Sequence, residues 1–167
     1  FQYNENGDVT QIDRQADTAG GVQATQFEYT ELNLLKKILD PLSRQTTLKY
    51  DSNQNLKEII DANNNKTENE YDERNFLLKV KDANVPQGVT AYTYDNNGNI
   101  QKILDANTNA TDYGFDLFDR METVTYADGK FDKYGYDKNL NRTKHTTPSG
   151  SVIDYVYDKL NRLTDKK

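Results

Sequence analysis

Apolar side chains come along this chain in short groups with two different spacings. Rings pair two residues apart in Phe27/Tyr29, Tyr92/Tyr94, Tyr113/Phe115, Tyr134/Tyr136 and Tyr155/Tyr157. Residues i and i+2 share one face of an extended strand, so each pair predicts a strand with a ring-bearing face. A second group follows, with apolar positions three apart: Val9/Ile12, Leu35/Ile38, Leu56/Ile59, Leu77/Val80, Ile100/Ile103 and Met121/Val124. A spacing of three does not fit a flat strand, and a β-bulge reconciles it. The seventh such group holds Arg142 and His145, so packing is expected to differ there. No window sustains a helical period. The best helical stretch, Leu32–Leu39, coincides with a turn and a return strand, and a strand is expected.

The groups recur in register. An aromatic stands at Tyr3, Tyr29, Tyr50, Tyr71, Tyr94, Phe115, Tyr136 and Tyr157, at spacings of 26, 21, 21, 23, 21, 21 and 21. A period this regular marks a repeat architecture. Asp follows the aromatic in six of the eight units, at Asp51, Asp72, Asp95, Asp116, Asp137 and Asp158. Four residues after the aromatic stand Gly7, Asn33, Gln54, Asn75, Gly98, Asp119, Leu140 and Asn161. Most are types that tolerate positive φ. The pattern predicts a type I turn closed by a left-handed residue, with the Asp accepting backbone N–H groups two or three residues on. Leu140 departs from the rule, and strain or altered geometry is expected there.

Asp61–Asn65, Asp105–Asn109, Asp128-Gly129 and Pro148–Gly150 read as the second turn of each unit, and Ala16–Ala24 as a loop insertion. One unit is then strand, tight turn, strand, turn. A lone hairpin is marginal in water. Eight in series can pair edge to edge into one antiparallel sheet that twists and coils. The fold class is therefore all-β: tandem hairpins of about 21 residues, with 1–167 as a single repeat domain of about eight units.

Composition changes the picture in three ways. Leu, Ile, Val and Phe make up only 21% of the 167 residues, close to the roughly 20% below which disorder becomes the default. Twelve tyrosines offset this, because each ring buries on the order of 150–250 Å², and eleven of them occupy the two ring positions of the repeat. Only Tyr126 does not. The net charge of −6 argues against nucleic acid or a polybasic membrane contact. With no Cys and a single His, a disulfide scaffold, a Cys-ligated metal and a cysteine nucleophile are excluded. No apolar run of about 18 residues suggests membrane insertion. The start at Phe1 rather than Met suggests a fragment of a longer chain.

The units have the form Tyr-x-Tyr-Asp-x-x-Gly/Asn-x-Leu-x-x-Ile-x-Asp, as in Tyr92–Asn99 and Tyr155–Leu163; Tyr136–Thr143 follows it with Leu140 in the Gly place. This resembles the YD repeat of the Rhs family, which includes bacterial Rhs and wall-associated proteins, the B/C components of insecticidal toxin complexes, and teneurins. The resemblance covers nearly the whole chain and rests on Tyr50, Asp51, Tyr71, Asp72, Tyr94, Asp95, Gly98, Phe115, Asp116, Tyr136, Asp137, Tyr157 and Asp158. It implies a spiralling sheet that can close as a hollow shell, of which eight units would be an arc. It implies an extracellular or cell-surface location. The partners it implies are neighbouring repeats and a C-terminal domain of the parent protein. Asp40-Pro41-Leu42 is read as an ordinary inter-strand turn, and no self-cleavage is carried over.

Candidate chemistry is sparse. A Ser–His–Asp site would need His145, which stands where other units place Ile59 or Ile103, and no nucleophile elbow surrounds any Ser. No catalytic residue and no cofactor are assigned. Five stretches read Asp-x-Asn-x-Asn, beginning at Asp51, Asp61, Asp95, Asp105 and Asp137. This is the first half of an EF-hand loop, but the bidentate Glu is missing and tight turns select the same residues, so no metal site is assigned. The remaining functional alternative is carbohydrate. Tyr92, Tyr113, Tyr134 and Tyr155 form an outer ring row that could stack on cell-wall polysaccharide, against the reading that these rings build the core. Exposed strand edges also predict edge-to-edge self-association.

Overall fold

The computed structural model describes residues 1–15, 22–84 and 86–167. Contacts divide the chain into two compact units, Phe1–Val89 and Thr90–Lys167. The first holds β1 (Gln2–Tyr3), β2 (Val9–Gln15), β3 (Val22–Tyr29), β4 (Leu35–Leu39), β5 (Gln45–Tyr50), β6 (Leu56–Ile60), β7 (Lys66–Tyr71) and β8 (Leu77–Lys81). The second holds β9 (Val89–Tyr94), whose first residue is the boundary, then β10 (Ile100–Leu104), β11 (Ala110–Phe115), β12 (Met121–Thr125), β13 (Phe131–Tyr136), β14 (Arg142–Thr146), β15 (Val152–Tyr157) and β16 (Leu163–Lys166). In each unit the strands lie in the sheet in chain order, each antiparallel to its neighbours. The architecture is all-β. The stretch Leu32–Leu39 ends in β4, because repeat register outweighs its helical propensity. Of the insertion read at Ala16–Ala24, Val22–Ala24 belongs to β3, and residues 16–21 lie outside the described residues.

The register explains the spacing of three. Tyr50 stands opposite Leu56, but Lys49 stands opposite Glu58, so Lys57 is passed over. The same shift falls beside Tyr3, Tyr29, Tyr71, Tyr94, Phe115, Tyr136 and Tyr157. One extra residue in the return strand turns Leu56 and Ile59 onto the same face, opposite Tyr50 and Leu48. The opposite face carries cross-strand ion pairs, among them Lys37–Glu28 at 2.9 Å, Lys49–Glu58 at 2.8 Å and Lys102–Asp112 at 3.0 Å. These are exposed pairs, worth about 0–1 kcal/mol each. Each unit is thus one sheet with a ring-and-aliphatic face and a charged face. Its core is thin: Val124 is the only apolar residue more than nine-tenths buried among the described residues.

Candidate functional site

Hairpin geometry decides what the repeat side chains can do. All eight residues four positions past the aromatic have positive φ, from Gly98 at 90° to Asp119 and Asn161 at 58°. Leu140 adopts it as well, at 70°. The expectation of altered geometry at Leu140 is corrected: the loop keeps its shape and the leucine carries the strain, because its loop bonds match those of its neighbours. In the Asp51 loop, Gln54 N donates to Asp51 O at 3.1 Å and Asp51 N donates to Asn55 O at 3.0 Å. The carboxylate accepts from the N–H groups two and four residues on, Asn53 and Asn55, each at 2.9 Å. The N–H three residues on is already committed to the backbone carbonyl, which corrects the expected two-or-three pattern. The second oxygen takes the Asn55 amide at 3.1 Å. The second turns repeat this arrangement at Asp40, Asp61 and Asp105, so Asp40-Pro41-Leu42 is an inter-strand turn. The carboxylates that resembled EF-hand ligands are therefore held within their own loops. Among the described residues, no group of three or more His, Cys, Asp or Glu is placed to hold a metal ion.

The repeat tyrosines are also committed. Tyr29, Tyr50, Tyr71, Tyr136 and Tyr157 donate their hydroxyls to the carbonyls of Val9, Leu35, Leu56, Met121 and Arg142, at 2.8 to 3.1 Å. Each acceptor is the residue just before the bulge of the preceding hairpin. The ring buries area while the hydroxyl binds one hairpin to the next, which explains Tyr rather than Phe at this position.

The outer row stands on the same face. Tyr92, Tyr113, Tyr134 and Tyr155 face Ile103, Val124, His145 and Lys166 across the ladder, and all four are half-buried. Tyr134 stacks on His145 with centroids 4.8 Å apart, and burial pushes its hydroxyl up from the usual value. The Arg142 guanidinium lies 4.9 Å from the Tyr155 ring and 5.6 Å from the Tyr134 ring.

A polar cluster that sequence reasoning missed surrounds His145. Asp132, more than nine-tenths buried, receives the Tyr126 hydroxyl at 2.7 Å and meets His145 Nε2 through its other oxygen. The His145 contact, then the Tyr126 hydroxyl, hold its carboxyl below the usual range. The available signal was a lone His at a position that other units fill with Ile or Val. A polar ring on an apolar face needs a buried partner. The cluster ties β13 to β14 and to the turn after β12. The structure thus brings His145 together with Asp132, Tyr126 and Tyr134.

Among the described residues, side-chain amides join the loops of successive hairpins in alternation. Asn6 donates to Asn33 at 2.8 Å; Asn53 and Asn55 to Asn75 at 3.1 and 2.8 Å; Asn97 and Asn99 to Asp119 at 2.7 and 2.8 Å; Asn139 and Asn141 to Asn161 at 3.2 and 2.9 Å. Units one, three, five and seven donate, and units two, four, six and eight accept through their positive-φ residue.

The RHS repeat family matches residues 94–130 and 136–166. Those two stretches carry RHS repeats. The matched RHS segments lie in the second unit, and the same loop and bulge geometry continues through the first. No curated protein matches the chain. Solved structures do. A mutant Tc holotoxin pore of Photorhabdus luminescens matches with a TM-score of 0.71 at 15% identity, over 87% of this chain and 9% of that one. A TcdB2–TccC3 crystal structure matches with a TM-score of 0.62 at 13% identity, over 97% of this chain and 12% of the other. The repeats therefore have the fold of a segment of those toxin proteins and span about a tenth of their length.

Proposed function

We propose that this chain is a non-enzymatic structural segment, a scaffold or shell wall, of a longer secreted or cell-surface protein of the toxin-delivery or wall-associated kind. The observation that carries this reading is where the repeat chemistry goes. Tyrosine hydroxyls, turn carboxylates and loop amides bind the hairpin they belong to or the adjacent one. The fold shared with segments of Tc toxin structures supports it. The proposed partners are neighbouring repeats and a C-terminal domain of the parent protein. The test is limited proteolysis of the parent protein with and without residues 1–167. A wall segment predicts that the domain beyond it is cut faster in the deletion. Equal cutting rates would overturn the proposal.

Carbohydrate binding is the second reading, favoured by one observation: Tyr92, Tyr113, Tyr134 and Tyr155 form a row on one sheet face, with Arg142 beside the last two. Co-sedimentation with purified bacterial cell walls tests it. Saturable binding lost in Tyr92→Ala and Tyr113→Ala supports it, and absence of binding by the folded chain removes it.

A further inference from the structure

The loops that follow the aromatic are not alike at their tips. The two tip residues are Glu5-Asn6, Glu31-Leu32, Ser52-Asn53, Glu73-Arg74 and Asn96-Asn97 in the first five units, then Leu117-Phe118, Lys138-Asn139 and Lys159-Leu160 in the last three. The first five tips are mostly acidic or amide, with Leu32 and Arg74 among them, whereas each of the last three carries an apolar residue or a lysine. The turn does not require this change, since the bonding is the same in both sets. Leu117 is 99% exposed, Phe118 75%, Leu140 66% and Leu160 72%. Adjacent loops on one edge stand two strand spacings apart, about 10 Å, so the three tips form a row of about 20 Å.

Between the first two of these loops lies a groove of about 430 Å³, lined by Phe118, Arg120, Tyr136, Asp137, Lys138 and Leu140. Arg120 forms its floor. Its guanidinium lies 5.3 Å from the Phe118 ring and 4.6 Å from the Tyr136 ring. Its N–H groups are engaged by the Asp116 carboxylate at 2.6 Å and the Asp137 carbonyl at 3.1 Å. The floor is thus an aromatic–guanidinium stack with its charge already paired, suited to an apolar side chain rather than to a phosphate. The loop carboxylates are likewise taken, Asp116 by Arg120, Asp137 by Asn141 and Asp158 by Arg162. Lys138, which lines the groove, and Lys159, at the tip of the third loop, make no ion pair among the described residues.

We propose that the loop edge formed by residues 116–120, 137–141 and 158–162 is a docking surface for an acidic polypeptide segment that carries apolar side chains. The apolar groups seat on Phe118, Leu140 and Leu160, and the carboxylates meet Lys138 and Lys159. Aromatic and arginine anchors with a polar rim are the composition of a protein-binding patch. Exposed apolar rows with a charged rim mark such contacts on otherwise polar proteins. This inference goes beyond the scaffold role and uses an edge that the role leaves free.

The test is fluorescence polarisation of the 167-residue protein with three labelled twelve-residue peptides. One combines Leu or Phe with Asp or Glu, one replaces the acids with Lys, and one replaces the apolar residues with Ser. Binding is expected for the first alone. It should weaken about tenfold or more in the double variant Leu117→Ser/Phe118→Ser and in Lys138→Glu/Lys159→Glu, and weaken with added salt. Leu32→Ser, at the tip of the second hairpin loop, should leave it unchanged. The substituted side chains are at loop tips, so circular dichroism should show the fold intact. Unchanged affinity in both double variants, equal binding of the lysine peptide, or no peptide binding would overturn the proposal. So would self-association in sedimentation that the tip variants abolish, which would make the occupant a second copy. Binding to phosphatidylserine vesicles in place of peptide would make it a membrane.

Discussion

At the scale of the residue, the repeat is held by groups doing two tasks at once. A tyrosine ring supplies buried area that the scarce aliphatics cannot, while its hydroxyl satisfies a carbonyl next to a bulge. Phe115 does the first and cannot do the second. Phe115→Tyr is therefore expected to gain a hydrogen bond to the Ile100 carbonyl, fifteen residues back as in Tyr136 to Met121, and to stabilise by about 0.5–1.5 kcal/mol. A melting temperature that does not rise counts against this account. Positive φ gives a second test. Leu140 sits at 70° and Gly98 at 90°. Leu140→Gly should raise stability by about 1 kcal/mol, and Gly98→Val should lower it by about 1–3 kcal/mol. Equal midpoints in urea for both variants and the parent would refute the strain argument. The loop aspartates set the acid limit. Asp51, Asp61, Asp95, Asp105 and Asp137 are held below the ordinary carboxylate range, first by the amide of the Asn four residues on. Because the folded pKa is the lower one, the unfolded chain binds more protons in acid. The stabilisation is complete above the unfolded value of about 4 and disappears as pH falls through the depressed folded values. Melting temperature should drop below about pH 4, and Asp51→Asn with Asp95→Asn should flatten that limb.

At the scale of the element, the hairpin is not the whole repeating unit. The amide clasps join units in pairs, so the clasped pair of hairpins recurs at twice the visible period. Asn75→Gly separates the clasp from the turn, because glycine suits the φ of 66° and deletes only the acceptor for Asn53 and Asn55. A loss of stability despite the relaxed backbone is expected. A double-mutant cycle with Asn53→Ala should show coupling of about 0.5–1 kcal/mol. No coupling would leave the clasp without energetic weight. Between pairs other groups act: Arg120 reaches from unit six to the Asp137 carbonyl of unit seven.

At the scale of the molecule, each unit buries its apolar residues in one layer, and almost none becomes fully inaccessible. Stability then comes from neighbour-to-neighbour terms, as in other repeat proteins. The margins of such a sheet offer unpaired backbone groups. Light scattering of the isolated polypeptide is expected to show association that rises with concentration. A monodisperse monomer at high concentration would contradict it.

The spacing of rings and turn residues was enough by itself for the all-β class, the hairpin period, the bulge and most of the positive-φ positions, with Leu140 read as a departure from the rule. These properties are local, set by sterics within a few residues, and repetition makes them legible. The identity of Asp132 and Tyr126 as partners of His145 was not legible, because they belong to neighbouring strands and a turn whose approach depends on sheet register. Nor was the alternation of the amide clasps, since the same Asn and Asp residues suit an isolated turn equally well. Only the side-by-side placement of loops twenty-odd residues apart decides which amide meets which oxygen, and which tips stay exposed.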